Sequence, residues 1–90
     1  MIKTFRDDST KAVFETGTTR SFPQSVLAAA ARKLRYIDEA DLVTDLLFLA
    51  GNRLNKLSGN RAGQWSIHQY RICFEWLDGD AYNVEIVDYH

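Results

Sequence analysis

Ninety residues, 46% hydrophobic and 12% aromatic, make one globular domain, so 1–90 is read as a single unit. A chain this short buries only about 60–65% of its unfolded surface, and its core is thin. No apolar run approaches the roughly 20 residues of a membrane span, the opening MIKTFRDDSTK lacks the apolar stretch of a secretory leader, and one cysteine, Cys73, excludes an intrachain disulfide; these features predict a cytoplasmic protein with no membrane contact.

The net charge of −1 conceals a segregation. Four bases and no acid fall in 16–37, and four more bases and no acid fall in 46–74. The acids gather in 38–45 and 75–88. Such a pattern gives a basic face suited to a polyanion, or two solvated faces of opposite sign.

Ile2, Lys3, Thr4 and Phe5 alternate as a short half-buried strand does. Asp7, Asp8 and Ser9 then supply helix-start oxygens, and Gly17 supplies the stop. Pro23 opens the clearest helix, at the first position where a missing N–H costs nothing. Val26, Leu27, Ala30, Leu34 and Ile37 form its apolar stripe. Arg32, Lys33 and Arg35 are assigned to its solvated side near the C-terminal end, where the helix dipole favours cations. Asp38, Glu39 and Asp41 predict the start of another helical segment carrying Leu42, Val43, Leu46 and Leu47.

The second half changes period. Residues 53–57 fit a strand, 58–63 have turn composition, and 64–76 read as strand. Apolar residues stand at odd positions through Trp65 and Ile67 but at even ones from Tyr70 through Ile72, Phe74 and Trp76. A strand has period two, so a bulge or tight turn must fall at His68-Gln69. Asp78-Gly79 is a hairpin signal, and 81–89 alternates again, with Tyr82, Val84 and Ile86 on one face. Trp65 and Trp76 are assigned to the core and Cys73 to a buried thiol. His68 has no ligand spacing with Cys73 or His90, so no metal site is expected. The predicted architecture is α+β, with helices covering one face of a sheet.

One stretch stands out for chemistry. Residues 51–65, GNRLNKLSGNRAGQW, hold three of the eleven bases and three of the five glycines, with no acid. A glycine-bounded, basic, amide-rich loop before an aromatic strand suits an anionic ligand.

The segments LSGNRAGQWSI, QYRICFEW, the closing VEIVDYH and the opening MIKTF, kept in this order over nearly the whole chain, resemble HigB-type toxins of the RelE/ParE superfamily. The resemblance implies a RelE-like α+β fold, an N-terminal strand and helices packed on a mostly antiparallel sheet. It implies a type II toxin that cuts messenger RNA at the ribosome and needs no cofactor. It also implies a helix-turn-helix, HigA-like antitoxin as partner in a toxin–antitoxin hetero-oligomer.

That chemistry gives the candidate residues their roles. Cleavage needs a base for the 2′-hydroxyl, a proton for the leaving 5′-oxygen and cations for the phosphorane. A terminal histidine by itself is commonly an exposed accident, but the DYH ending matches the family's functional C-terminus and makes His90 the acid–base candidate. Tyr89 would stack on a base or orient the phosphate, and Asp88 would position a neighbour. Arg71, within a strand-like run, can grip a phosphate with two hydrogen bonds, or pair with Glu85 or Asp80. Arg53, Lys56 and Arg61 would hold the RNA backbone, although Arg61 could equally bond loop carbonyls. Many family members carry histidine where this chain has Asn55 and lysine where it has Ser58, and a longer loop where it has 67–70. Asn55 cannot exchange a proton near neutrality and Ser58 carries no charge, so weakened cleavage is expected. The same departures leave room for a toxin that binds without cutting, as gyrase poisons of the superfamily do. A non-catalytic regulator that contacts its antitoxin through the acidic stretches 38–45 and 75–80 is the third reading.

Overall fold

The computed structural model describes residues 1–48, 55–56, 64–67 and 72–87, with 47–48, 55–56 and 64–67 described through their backbone. Helix α1, Asp8–Thr16, begins where the sequence signals it. The Asp7 carboxylate accepts from the Thr10 N–H at 2.7 Å, satisfying one of the free donors of the first turn. Gly17 ends the helix at φ 81°, a left-handed conformation that glycine adopts without steric cost.

Helix α2, Gln24–Glu39, buries the predicted stripe of Val26, Leu27, Ala30, Leu34 and Ile37. Pro23 caps it one position earlier than expected, outside the first turn, and its carbonyl accepts from the Val26 N–H. Asp38 and Glu39 belong to this helix and do not open the next. The following segment is a 3-10 helix, Val43–Phe48, held by Asp45, whose Oδ2 accepts from the N–H groups of Asp41 and Leu42.

Lys33 corrects the sequence reading. It is 2% exposed, not solvated. Position 33 lies three residues after Ala30 and four before Ile37, on the buried stripe itself, and a regular helix gives it no other face. Its Nζ stands 5.5 Å from the centre of the Tyr36 ring, within cation–π range. Burial, and secondarily the Arg32 charge, hold its pKa below the ordinary lysine value.

Among the described residues four strands form one antiparallel meander in the order β1-β2-β3-β4: Asn55–Lys56, Gln64–Ile67, Ile72–Leu77 and Asp80–Ile86. The run predicted as strand over 64–76 is thus a hairpin, with Ile67 opposite Ile72 and 68–71 between them. The bulge or turn expected at His68-Gln69 falls between these two strands, outside the described residues. Tyr70 falls in the connection, outside the described residues, and of the strand expected at 53–57 the described part is β1. The β3–β4 turn follows the Asp-Gly signal, with Asp78 at φ 51° and Gly79 at φ 84°. Two positive φ values in a two-residue loop match the right-handed twist of the flanking strands.

β4 departs from simple alternation. Cys73 faces Glu85 while Glu75 faces Tyr82, so β4 carries one extra residue opposite Phe74. Asn83 absorbs this bulge at φ 53°. Beyond it the inward face switches, and the buried set is Ala81, Val84 and Ile86. Tyr82, expected with Val84 and Ile86, is only half-buried. The predicted N-terminal strand appears as two isolated bridges that place Ile2 and Phe5 parallel to β4 at Ala81 and Val84.

The helices cover one face of β3 and β4 around Phe74, Leu34, Ile37 and Leu46. Trp76 packs on the edge of this core, 6.2 Å from the Phe74 ring in a T-shaped contact, and Cys73 is fully buried.

The pKa of Lys33 sets a pH test. The ammonium is less favoured folded than unfolded, so it subtracts from stability at neutral pH. The loss fades as pH rises through the lowered folded value towards 10.5. Denaturant melts should therefore show the stability of Lys33→Met relative to wild type highest at neutral pH and declining in alkali. A difference flat across that range would contradict the buried ammonium.

Candidate functional site

The site is organised by where the strands begin and end. In a meander, alternate connections emerge at opposite ends of the sheet. The register sets Asn55 beside Ser66, Ser66 beside Cys73, and Cys73 beside Glu85. At this end the chain enters β1 after Arg53 and Leu54, leaves β2 for the connection 68–71 that contains Arg71, and leaves β4 after Ile86 towards Asp88, Tyr89 and His90. The opposite end carries the exit from β1 after Lys56, the return at Gln64, and the Asp78-Gly79 turn. The connection containing Ser58 and Arg61 thus starts at the end away from the β4 terminus.

Of the nine candidate residues, Asn55 and Lys56 fall in β1, at the outer edge of the sheet. Arg53, Ser58, Arg61, Arg71, Asp88, Tyr89 and His90 lie outside the described residues. The carboxylates named as alternative partners of Arg71 both face the N-terminal segment. Glu85 is 3.7 Å from Arg6, and Asp80 is 3.4 Å from the Met1 ammonium.

The base of the β4 terminus is firmly held. The Thr10 hydroxyl, fully buried on α1, accepts from the Ile86 N–H at 3.0 Å. One residue before the chain leaves the sheet, the strand is tied to a helix 76 positions earlier in sequence. Sequence reading missed Thr10. Its signal was a hydroxyl three residues before the apolar Val13 on a helix whose inner face is short.

Beside this end, Lys3, Thr4, Phe5, Arg6, Asp7, Asp8 and Lys11 line a hollow of about 340 Å³. It collects three cations missed by a count restricted to 16–37 and 46–74, together with two carboxylates. Lys11 also pairs with Glu15 at 3.8 Å. The hollow is therefore close to charge balance and adds little to anion binding by itself. Among the described residues no group of three or more His, Cys, Asp or Glu could hold a metal ion, and no helix is long and apolar enough to cross a membrane.

Comparison with known proteins agrees with this α+β arrangement. Residues 3–90 match the family model described as RelE-like toxin of type II toxin-antitoxin system HigB. The chain is 36% identical to Endoribonuclease HigB of Proteus vulgaris over 100% of both chains. It is 43% identical over 67 residues to Toxin HigB-1 of Vibrio cholerae serotype O1, covering 71% of this chain and 70% of that one. A family match spanning nearly every residue, joined to full-length similarity, decides the assignment: this chain belongs to the HigB-like family of RelE-like toxins, which act in type II systems opposite an antitoxin.

Proposed function

We propose that this chain is an endonuclease that cuts messenger RNA at the ribosome in the cytoplasm, and that a helix-turn-helix, HigA-like antitoxin restrains it in a hetero-oligomer. The observation that carries the reading is the strand register. In it the end of β2, the start of β3 and the end of β4 share one end of the sheet, and Arg71 precedes β3 in sequence while Asp88, Tyr89 and His90 follow β4, which supports a common site. Similarity to Endoribonuclease HigB over both full chains supports the reaction class.

In the proposed reaction a base takes the proton of a ribose 2′-hydroxyl, and the oxygen attacks the adjacent phosphorus. The P–O5′ bond breaks, leaving a 2′,3′-cyclic phosphate, and the departing 5′-oxygen takes up a proton. His90 is the candidate to move one of these protons, since imidazole is the side chain suited to proton transfer near neutral pH. Arg71 balances the charge that grows on the phosphorane. Tyr89 stacks on a base so that attack is in line, and Asp88 orients its neighbours. Arg53, Lys56 and Arg61 grip the backbone through salt-sensitive contacts.

Asn55 and Ser58 set the rate. Neither moves a proton nor carries a positive charge near neutral pH, so cleavage is slow relative to binding. If the chain instead acts by binding alone, induction arrests growth without producing new messenger ends.

Mapping of messenger 5′ ends after induction should show new ribosome-dependent cuts. His90→Ala should lower the single-turnover rate by about 10²–10⁴-fold, the usual scale of general acid–base catalysis. Arg71→Ala should lower it by roughly 10²–10³-fold. Unchanged cleavage in both variants would remove these residues from the mechanism. The double variant Asn55→His, Ser58→Lys should cut faster than wild type. If it does not, the two departures are not what limits the rate.

A further inference from the structure

Near the α2 C-terminus and the β3–β4 turn lies a surface that the RNA chemistry does not use, with Leu46 of the core at its floor. Tyr36, Ala40 and Leu46, with Glu39 and Asp45 at the rim, line a pocket of about 270 Å³. That volume accepts a single large side chain. Leu42, between the lining residues Ala40 and Asp45, and Leu77, at the head of the β3–β4 turn, are each 61% exposed, the two most exposed large apolar side chains among the described residues. Sequence separates them by 35 positions, but the fold sets their segments together. A Cβ placed on Gly79 would lie 3.4 Å from the Asp41 carbonyl, so the turn packs directly against the residue before Leu42.

The leucine display is built, not frayed. Asp45 holds the backbone N–H groups of Asp41 and Leu42 at 3.1 and 2.9 Å, which fixes the segment and leaves Leu42 facing water. Leu77 is the last residue of β3 and is held by its pairing with Asp80. A solvated leucine at a fixed position contributes little to folding, whereas its burial against a partner contributes on the scale of a core side chain. Around the leucines stand Glu39, Asp41, Asp45 and Asp78, all exposed, and no basic residue lies between positions 36 and 52 or between 72 and 90.

We propose that this surface docks the antitoxin, through a segment that places one apolar side chain in the Tyr36–Leu46 pocket and arginines or lysines against the surrounding carboxylates. The proposal rests on the family assignment, which supplies an antitoxin as partner. The charge of the rim selects the occupant. A second copy of this chain would bring the same acids to the contact and be repelled, while a basic amphipathic segment is drawn in. The leucines and pocket form the desolvated centre, and the carboxylates form the rim that steers encounter.

The test uses this chain co-expressed with the antitoxin of its own locus, with affinity measured by titration of the purified proteins at two salt concentrations. The double variant Leu42→Lys, Leu77→Lys should melt like wild type, since both side chains are already exposed, and should bind about 30-fold more weakly or worse. Glu39→Lys should weaken binding mainly at low salt. Arg20→Glu, at an exposed position on the connection before α2, should bind like wild type. Antitoxin affinity unchanged in both the leucine and the Glu39 variants would overturn the proposal, as would a wild-type chain that does not bind its antitoxin. If the leucine variant melts early, the Glu39 variant alone decides, and unchanged low-salt affinity there overturns the proposal. Titration does not depend on RNA cleavage, so failure here and failure of the endonuclease reading are separate results.

Discussion

The fold depends on how the bulge in β4 is closed. An extra residue in a strand turns two successive N–H groups to the same side, and these need acceptors that a regular neighbour does not provide. Here Thr4 provides both. Its hydroxyl accepts from the Asn83 N–H at 2.8 Å and its carbonyl from the Val84 N–H at 3.1 Å. Asn83 then reaches across to Glu75 at 2.7 Å. The N-terminal segment is therefore cut to fit this irregularity, and it also covers what would be an open sheet edge. On the bulge's far side Val84 and Ile86 stay on the helix-facing side, which places the Ile86 N–H against Thr10. Without the extra residue, the far half of β4 would show the core its opposite face.

Signals confined to a few residues were legible in the sequence. Asp7 and Gly17 bracket α1 because a carboxylate and a residue tolerant of positive φ each solve a local problem. Asp78-Gly79 encodes its turn in the same way. The apolar stripe of α2 was legible too, yet Lys33 was assigned by its charge when its spacing from Ala30 and Ile37 already placed it inside. The bulge was not legible. Period-two reading assumes constant register, and nothing local to Asn83 says that the chain will miss one step against β3. The short helix after α2 resisted for a related reason. Asp38, Glu39 and Asp41 look like helix-start residues, but the first two close α2, and the side chain of Asp45 bonds back to the N–H groups of Asp41 and Leu42 and makes a tighter turn.

The candidate site was legible as residue types and not as places. Arg53, Arg71 and His90 are far apart in sequence and lie outside the described residues; the antiparallel strand order shows that the start of β1, the end of β2, the start of β3 and the end of β4 share one end of the sheet. The basic stretch 51–65 looked like one unit. The meander divides it, since Arg53 precedes β1 while Ser58 and Arg61 follow it. Recognition of a long RNA strand tolerates this division, because backbone contacts can be spread along a groove. Proton transfer does not, because it needs groups within hydrogen-bond reach of one phosphate.

The charge segregation follows the same logic. Four exposed carboxylates around two exposed leucines repel one another in the free chain, a cost that solvent and salt reduce but do not remove. A fold optimised only for its own stability would intersperse lysines among them. Instead the bases of this chain lie in 3–35 and 53–71, and the acidic turn is packed against the acidic segment that precedes the 3-10 helix. Like charges gathered beside apolar side chains weaken the monomer slightly and favour an oppositely charged partner strongly, because binding relieves the repulsion and buries the leucines in one step. A toxin that must stay restrained until its antitoxin is removed gains from that asymmetry.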